Sequence, residues 1–125
     1  MVVADTSVWI DHPTSTAESL QALLNAGRIL MHPFVVGEIA VGSLRQRLTI
    51  LAFLGALPRV DIVPDDDVIA MIERERLFSI GIGYIDCHLL ASVSGRPGTS
   101  FWTRDKRLRL AADRLGLSAS TPTLH

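Results

Sequence analysis

Short runs rich in apolar residues alternate with longer amphipathic stretches along this chain, and this alternation constrains the fold more than any other feature of the sequence. The runs occur at residues 2–4, 29–31, 60–63, 100–103 and 117–119, and their lengths are typical of strands. The stretches between them repeat apolar side chains at helical spacing. Strands that alternate with helices favour an α/β fold with a mostly parallel sheet.

Helix start and stop signals divide the stretches between the strands. Ser15 and Glu18 have the spacing of a capping box, and Gly27 is placed to end the helix that follows them. The predicted helices begin near Ser7, near Ser15, at 33–42, 43–57, 65–78 and 84–94, and again from Asp105.

Length and composition indicate one folded domain over residues 1–125. The chain has 125 residues and 48% hydrophobic residues, enough for a core and too apolar for a disordered chain. No apolar run approaches the roughly 20 residues that cross a membrane, and a basic leader is missing. The single cysteine, Cys87, excludes an internal disulfide framework and a cysteine-rich zinc site. We therefore expect a cytoplasmic protein without membrane association.

The basic residues are unevenly distributed. The net charge is -1, so the molecule is not a polycation that binds nucleic acid through its overall charge. However, Arg104, Lys106, Arg107 and Arg109 crowd together, and arginine suits bidentate contacts with phosphate. A solvated helix face explains this group equally well.

Most acidic residues have an ordinary structural interpretation. Asp65, Asp66 and Asp67 stand at a predicted helix start, where acids offset the helix dipole. We interpret these three as a helix N-terminus rather than a metal cluster. Glu73 and Glu75 lie among arginines on a solvated helical face.

Four acids remain as candidates for a functional site: Asp5, Glu38, Asp86 and Asp105. Asp5 and Asp105 follow predicted strands, and ligands of an open parallel sheet bind beyond the carboxyl ends of its strands. Asp86 begins a helix at that same edge. Glu38 is flanked by apolar residues, and a buried acid needs a partner. Taken singly, Asp5 and Asp105 also fit helix caps, and Asp86 fits an ordinary first-turn acid.

Together these acids predict a particular chemistry. Converging carboxylates raise one another's pKa, so the site requires a proton or a cation. Oxygen-rich sites that lack histidine suit hard ions such as Mg²⁺ or Mn²⁺. Such ions lower the pKa of a bound water and neutralise charge on a phosphate oxygen. This chemistry fits phosphodiester hydrolysis.

Four stretches carry these acids: VVADTSVWID, PFVVGEIAVGSL, GIGYIDCHLLAS and FWTRDKRL. In this order, across nearly the whole chain, they resemble the PIN domain of VapC-type ribonuclease toxins. The resemblance implies a three-layer α/β/α sandwich with a mostly parallel sheet of four or five strands in the order 3-2-1-4-5. It also implies a Mg²⁺- or Mn²⁺-dependent endoribonuclease, with Asp5, Glu38, Asp86 and Asp105 as catalytic and metal-binding residues.

The resemblance extends to partners and to further site residues. It implies an RNA substrate, a cognate VapB-type antitoxin whose C-terminal tail covers the site, and toxin homodimers. Ser7 and Thr103 fit hydroxyl positions of the family near the first and last acids, although a helix-cap or strand-end role stays open for both. We expect Arg104 or Arg107 to stabilise charge on the phosphate. The preference for RNA over DNA rests on the family alone.

His88 and the tryptophans have competing interpretations. Adjacent helical positions diverge by about 100°, so His88 is predicted to be structural rather than a metal ligand beside Asp86. Trp9 and Trp102 are predicted core residues, while base stacking by Trp9 stays open.

Other functions fit less well. A receiver-like phosphoacceptor needs adjacent acids after its first strand, whereas Asp5 has no acidic neighbour. A haloacid-dehalogenase-like phosphatase needs a second aspartate where Ser7 stands. A degenerate PIN domain that serves as a binding module remains the alternative to the enzyme.

Overall fold

A computed structural model of the chain describes residues 1–10 and 14–119, and it confirms the α/β class with a parallel sheet. Each strand of the described chain is followed by one or more helices. The elements are β1 (Val2–Ala4), α1 (Thr6–Ile10), α2 (Thr14–Asn25), β2 (Ile29–Leu30), α3 (Pro33–Ala40), α4 (Arg47–Ala56), α5 (Asp65–Glu75), α6 (Tyr84–Ser94), β3 (Ser100–Trp102) and α7 (Lys106–Arg114).

The sheet has β1 at its centre, in the order β2-β1-β3, with parallel pairing on both sides. Outside β2, Met31 forms a single parallel bridge to Arg59, and outside β3, Phe101 forms one to Ser118. The strands predicted at 60–63 and 117–119 are therefore reduced to single bridges, and a sheet of four or five strands is not confirmed in the described part. One physical reason is that Pro64, which has no N–H, directly follows the first of these segments.

Apolar side chains cover both faces of the sheet. Successive residues of a strand point to opposite faces, and accordingly Val3 belongs to one buried cluster while Val2 belongs to another. Leu20 of α2 packs in the cluster of Val2, and Leu90 of α6 packs in the cluster of Val3. Helices therefore lie on both sides of β1.

Two predicted helix boundaries were wrong. Ser15 lies within α2, which already begins at Thr14, so Ser15 is not the cap of that helix. The helix predicted over 65–78 ends earlier, at Glu75, because Arg76 adopts a left-handed backbone with φ 53°.

A third predicted boundary, a helix start at Ser43, was also wrong, because α4 begins only at Arg47. Gln46 precedes it with a left-handed φ of 51°. The Arg47 guanidinium donates hydrogen bonds to the carbonyls of Ala40 and Gly42. These carbonyls lie where α3 ends and lack intrahelical partners, so the later start of α4 provides the cap for α3.

Within residues 1–10 and 14–119, no helix combines the length and the apolar character that crossing a membrane requires.

A fully buried histidine caps the start of α3. His32 is 0% exposed, and its Nδ1 accepts a hydrogen bond of 3.0 Å from the backbone N–H of Phe34. Burial, with a smaller effect of the nearby His88, lowers the pKa of His32 from 6.5 to about 4. His32 is therefore neutral in the native state at physiological pH.

This neutral histidine predicts a stability that falls in mild acid. Between pH 6.5 and about 4, the unfolded chain gains a proton at His32 that the native state does not, so the free energy of unfolding decreases as the pH falls through this window. The variant His32→Asn keeps a cap acceptor and removes the titration. Urea unfolding at several pH values should show a shallower dependence in the variant, by up to roughly 3 kcal/mol across the window. An unchanged slope would show that His32 does not cause it.

Candidate functional site

Asp5 and Asp105 lie at the carboxyl edge of the sheet. β1 and β3 are adjacent and parallel, with Ala4 opposite Trp102, and the N–H of Asp5 donates a 3.0 Å hydrogen bond to the carbonyl of Trp102. The condition under which Asp5 and Asp105 share an edge, that the first strand and the strand before Asp105 are neighbours, is therefore met. Both acids therefore follow strand ends on one rim, as parallel strands require.

Two hydroxyl groups hold the Asp5 carboxylate. Asp5 is only 6% exposed. Ser7 Oγ donates to its Oδ1 at 2.5 Å, and Thr103 Oγ1 donates to its Oδ2 at 2.6 Å. The two hydroxyl oxygens are 3.4 Å apart, but each has one hydrogen, which is directed to Asp5. Both carboxylate oxygens are thereby fixed in direction.

The same hydroxyls also organise the turn after β3. Ser7 Oγ accepts a 2.9 Å hydrogen bond from the N–H of Arg104, and Thr103 Oγ1 accepts one of 3.0 Å from the N–H of Asp105. Arg104 and Asp105 are the residues after β3 that are expected to contact phosphate and cation. Their backbone N–H groups are therefore held by the same hydroxyls that orient Asp5.

Asp105 acts as the N-cap of α7, which was one of its two interpretations. Its Oδ1 accepts hydrogen bonds from the N–H groups of Arg107 at 2.9 Å and Leu108 at 3.1 Å. Its second oxygen accepts no hydrogen bond from the described residues, and the side chain is exposed. One oxygen therefore holds the helix while the other is available to a ligand.

Glu38 is exposed, so the expectation that its apolar neighbours bury it was wrong. Val35 and Ile39, one helical turn apart, direct the apolar face of α3 into the core, and Glu38 lies off that face. Its Oε1 accepts a 2.8 Å hydrogen bond from Thr6 Oγ1. Sequence reasoning missed Thr6, although its position between Asp5 and Ser7 was a usable signal.

Asp86 lies in the first turn of α6, where its Oδ2 accepts a 2.9 Å hydrogen bond from the N–H of Gly83. Burial raises the pKa of Asp86, and the charges of Glu38 and Asp105 raise it further, against the lowering effect of the Gly83 hydrogen bond. The pKa of Asp86 therefore depends on the charges of both exposed acids, Glu38 and Asp105.

The pKa of Asp5 is raised as well. Burial is the largest cause, the hydrogen bonds from Ser7 and Thr103 oppose it, and the charge of Asp86 adds to it. Asp86 is thus electrostatically coupled to the other three predicted acids, and none of the four forms an ion pair with a side chain of the described residues.

The donor chemistry fits a hard divalent cation, because every candidate ligand at this rim is an oxygen. The raised pKa of Asp5 and Asp86 also marks a place where positive charge would be stabilising. As the side chains stand, however, no three of the described His, Cys, Asp and Glu residues are close enough together to hold a metal ion.

His88 contacts Asp65 rather than one of the four candidate acids. Its Nε2 lies 2.9 Å from Oδ1 of Asp65, which also accepts a 2.9 Å hydrogen bond from the hydroxyl of Tyr84. These contacts, with that of Tyr84 the stronger, lower the pKa of Asp65. The structural interpretation of His88 agrees with this geometry, and Asp65 begins α5 as expected of a helix N-terminus.

Arg104 and Arg107 are exposed beside the rim. Neither is within ion-pairing distance of a carboxylate among the described residues. Both guanidinium groups are consequently available to an anionic ligand.

Comparison with known proteins gives consistent findings. Residues 2–114 match the model of the PIN domain family. Two relatives, each named Ribonuclease VapC32 and from two strains of Mycobacterium tuberculosis, are 39% identical to this chain over 118 residues. The match covers 94% of this chain and 95% of each relative.

Removing the charge of Asp86 should stabilise the metal-free protein at pH 7. The variant Asp86→Asn keeps an oxygen for the Gly83 N–H but relieves the cost of a half-buried charge beside Glu38 and Asp105. Because the native pKa is raised, this cost is full above that pKa and disappears below pH 3.8. The advantage in urea unfolding with EDTA should therefore shrink as the pH falls.

The matched control is Asp61→Asn, since Asp61 is an exposed aspartate away from the rim. It should leave the free energy of unfolding nearly unchanged. If Asp86→Asn is no more stable than wild type at pH 7, the carboxylates do not strain the native state.

Proposed function

The chain belongs to the PIN-domain family, and from that premise we propose that it is a Mg²⁺- or Mn²⁺-dependent endoribonuclease that hydrolyses RNA phosphodiesters. The observation that supports the proposal is the electrostatic coupling of Asp86 to Asp5, Glu38 and Asp105, together with the raised pKa of Asp5 and of Asp86. The name of the two relatives, which describes a ribonuclease, supports it.

In the proposed mechanism Asp5, Glu38, Asp86 and Asp105 would hold the cation, which when bound would lower the pKa of the attacking water and offset charge on a phosphate oxygen. Ser7 and Thr103 keep the Asp5 oxygens in fixed directions, so no reorientation is needed when substrate binds. Arg104 and Arg107 contact the phosphate, since a guanidinium fork matches its oxygens. The protein supplies no nucleophile, and the products carry a 5′-phosphate and a 3′-hydroxyl.

Asp5→Asn should reduce RNA cleavage by roughly 100-fold or more, because the acid held by both hydroxyls is then uncharged. Asp61→Asn, which changes an exposed acid elsewhere, should cleave like wild type. Circular dichroism establishes that both variants are folded, and end-mapping of the cut RNA identifies the termini. Products ending in a 2′,3′-cyclic phosphate, or full activity in Asp5→Asn, would contradict the mechanism.

Thr6→Val tests whether the orientation of Glu38 matters. The change keeps the side-chain shape but removes the 2.8 Å hydrogen bond to Glu38 Oε1. We expect kcat to fall about tenfold while the free energy of unfolding changes by about 1 kcal/mol or less. Thr49→Val, at an exposed position of α4, is the matched control and should retain activity. Equal kcat values in the two variants would remove Thr6 from the site.

We also propose that the chain is the toxin of a toxin–antitoxin pair in the cytoplasm, with a VapB-type antitoxin and a homodimeric state. The resemblance and the relatives' name carry this part of the proposal. An open groove of about 300 Å³ between α1, α3 and α4 supports a protein partner, because it includes exposed apolar side chains, Ile10 at 58% and Phe53 at 50%. The helix α3 that borders this groove also carries Glu38.

On the same basis we propose the finer fold of the family, as one domain over residues 1–125. In it the five strands predicted from the sequence, numbered along the chain, have the order 3-2-1-4-5. The bridges of Arg59 to Met31 and of Ser118 to Phe101 support that order, because they occur on the required sides of the sheet.

One observation favours the alternative, a non-catalytic PIN domain that serves as a binding module. Among the described residues, the acids are not assembled closely enough to hold a metal ion. The cleavage assay of wild type separates the two functions, because a binding module would retain RNA without cutting it.

A further inference from the structure

The side chain of Arg107 lies directly on the backbone of Gly81. Gly81 belongs to the loop between α5 and α6 and has a left-handed φ of +85°. A Cβ placed on Gly81 would be 2.6 Å from both Cδ and Nη1 of Arg107. Such distances are far below van der Waals contact, so Arg107 occupies space that only the missing side chain of glycine leaves free.

This contact connects the segments that carry two of the acids. Arg107 is in the first turn of α7, and its N–H is bound by Asp105 Oδ1 at 2.9 Å. The loop of Gly81 continues to Gly83, whose N–H is bound by Asp86 Oδ2 at 2.9 Å. Arg107 therefore extends from the helix anchored on Asp105 to the loop anchored on Asp86.

Arg107 forms no ion pair with the described residues. The residue is exposed, and none of the described carboxylates is within ion-pairing distance of it. A free arginine loses side-chain freedom when it binds an anion. Contact with Gly81 restricts that freedom beforehand, which favours binding by an already oriented guanidinium group.

We propose that Gly81 is a positioning residue that seats Arg107 so that its guanidinium contacts a phosphate of the RNA strand. This inference rests on the proposed function for the identity of the ligand. It assigns to Gly81 a role through Arg107 rather than a direct contact with substrate.

The test compares two glycines of similar backbone conformation. Gly98 has φ +78°, and a Cβ there would meet no atom within 4 Å, whereas at Gly81 it would meet Arg107. Gly81→Ala and Gly98→Ala should both lower the melting temperature, because both place alanine in the left-handed region. Only Gly81→Ala should weaken RNA binding.

Binding is measured by fluorescence anisotropy of a labelled single-stranded RNA in EDTA, so the readout does not depend on cleavage. We expect Kd to rise about tenfold in Gly81→Ala and in Arg107→Ala, and to stay near the wild-type value in Gly98→Ala. The slope of log Kd against log salt should decrease by about one phosphate contact in both weakened variants.

The double variant Gly81→Ala/Arg107→Ala decides whether the glycine acts through the arginine. With no Arg107 side chain to displace, Gly81→Ala should add nothing to the Kd of Arg107→Ala. The inference is overturned if the two effects multiply, if Gly98→Ala weakens binding equally, or if no variant changes Kd. If the variants behave as expected but wild type cuts no RNA with Mg²⁺ or Mn²⁺, the proposed nuclease activity is wrong. The positioning of Arg107 by Gly81 is then still supported.

Discussion

The burial of the Asp5 carboxylate at the end of β1 is the constraint on which the rest of the rim depends. A charge removed from water is costly unless hydrogen bonds replace the lost solvation, and Ser7 and Thr103 supply one to each oxygen. The same hydroxyls accept the N–H groups of Arg104 and Asp105. The start of α1 and the turn after β3 are thus joined through one buried carboxylate.

The ionised carboxylates around Asp5 lower the stability of the native state. Burial and neighbouring acids raise the pKa of both Asp5 and Asp86, so each ionised carboxylate makes the native state less stable than it would be with a neutral group. The remaining acids are tied to local hydrogen bonds, Glu38 to Thr6 and Asp105 to the start of α7. Such an arrangement is typical of a binding site that a cation or a positively charged partner completes.

Sequence patterns predicted much of the fold but missed where some helices begin and which face of α3 carries Glu38. The alternation of apolar runs predicted the α/β class, and the position of Asp5 and Asp105 after strands predicted their shared edge. The caps predicted at Ser15 and Ser43 were wrong, because α2 already includes Ser15 and α4 begins only after the left-handed Gln46, a backbone conformation that the residue type does not reveal. Glu38 was wrongly placed in apolar surroundings, since neighbours in sequence do not reveal which face of a helix meets the core.

By itself the sequence determined the helices and three of the five predicted strands, their order along the chain and which acids follow strands, because these depend on periodicity and on residues only a few positions apart. The tertiary structure alone decided which side chains meet. Thr103 reaches Asp5 across 98 positions of sequence, Thr6 meets Glu38 across 32, and Arg107 rests on Gly81. Such contacts arise when packed elements bring distant segments together, and no local pattern in the chain records them.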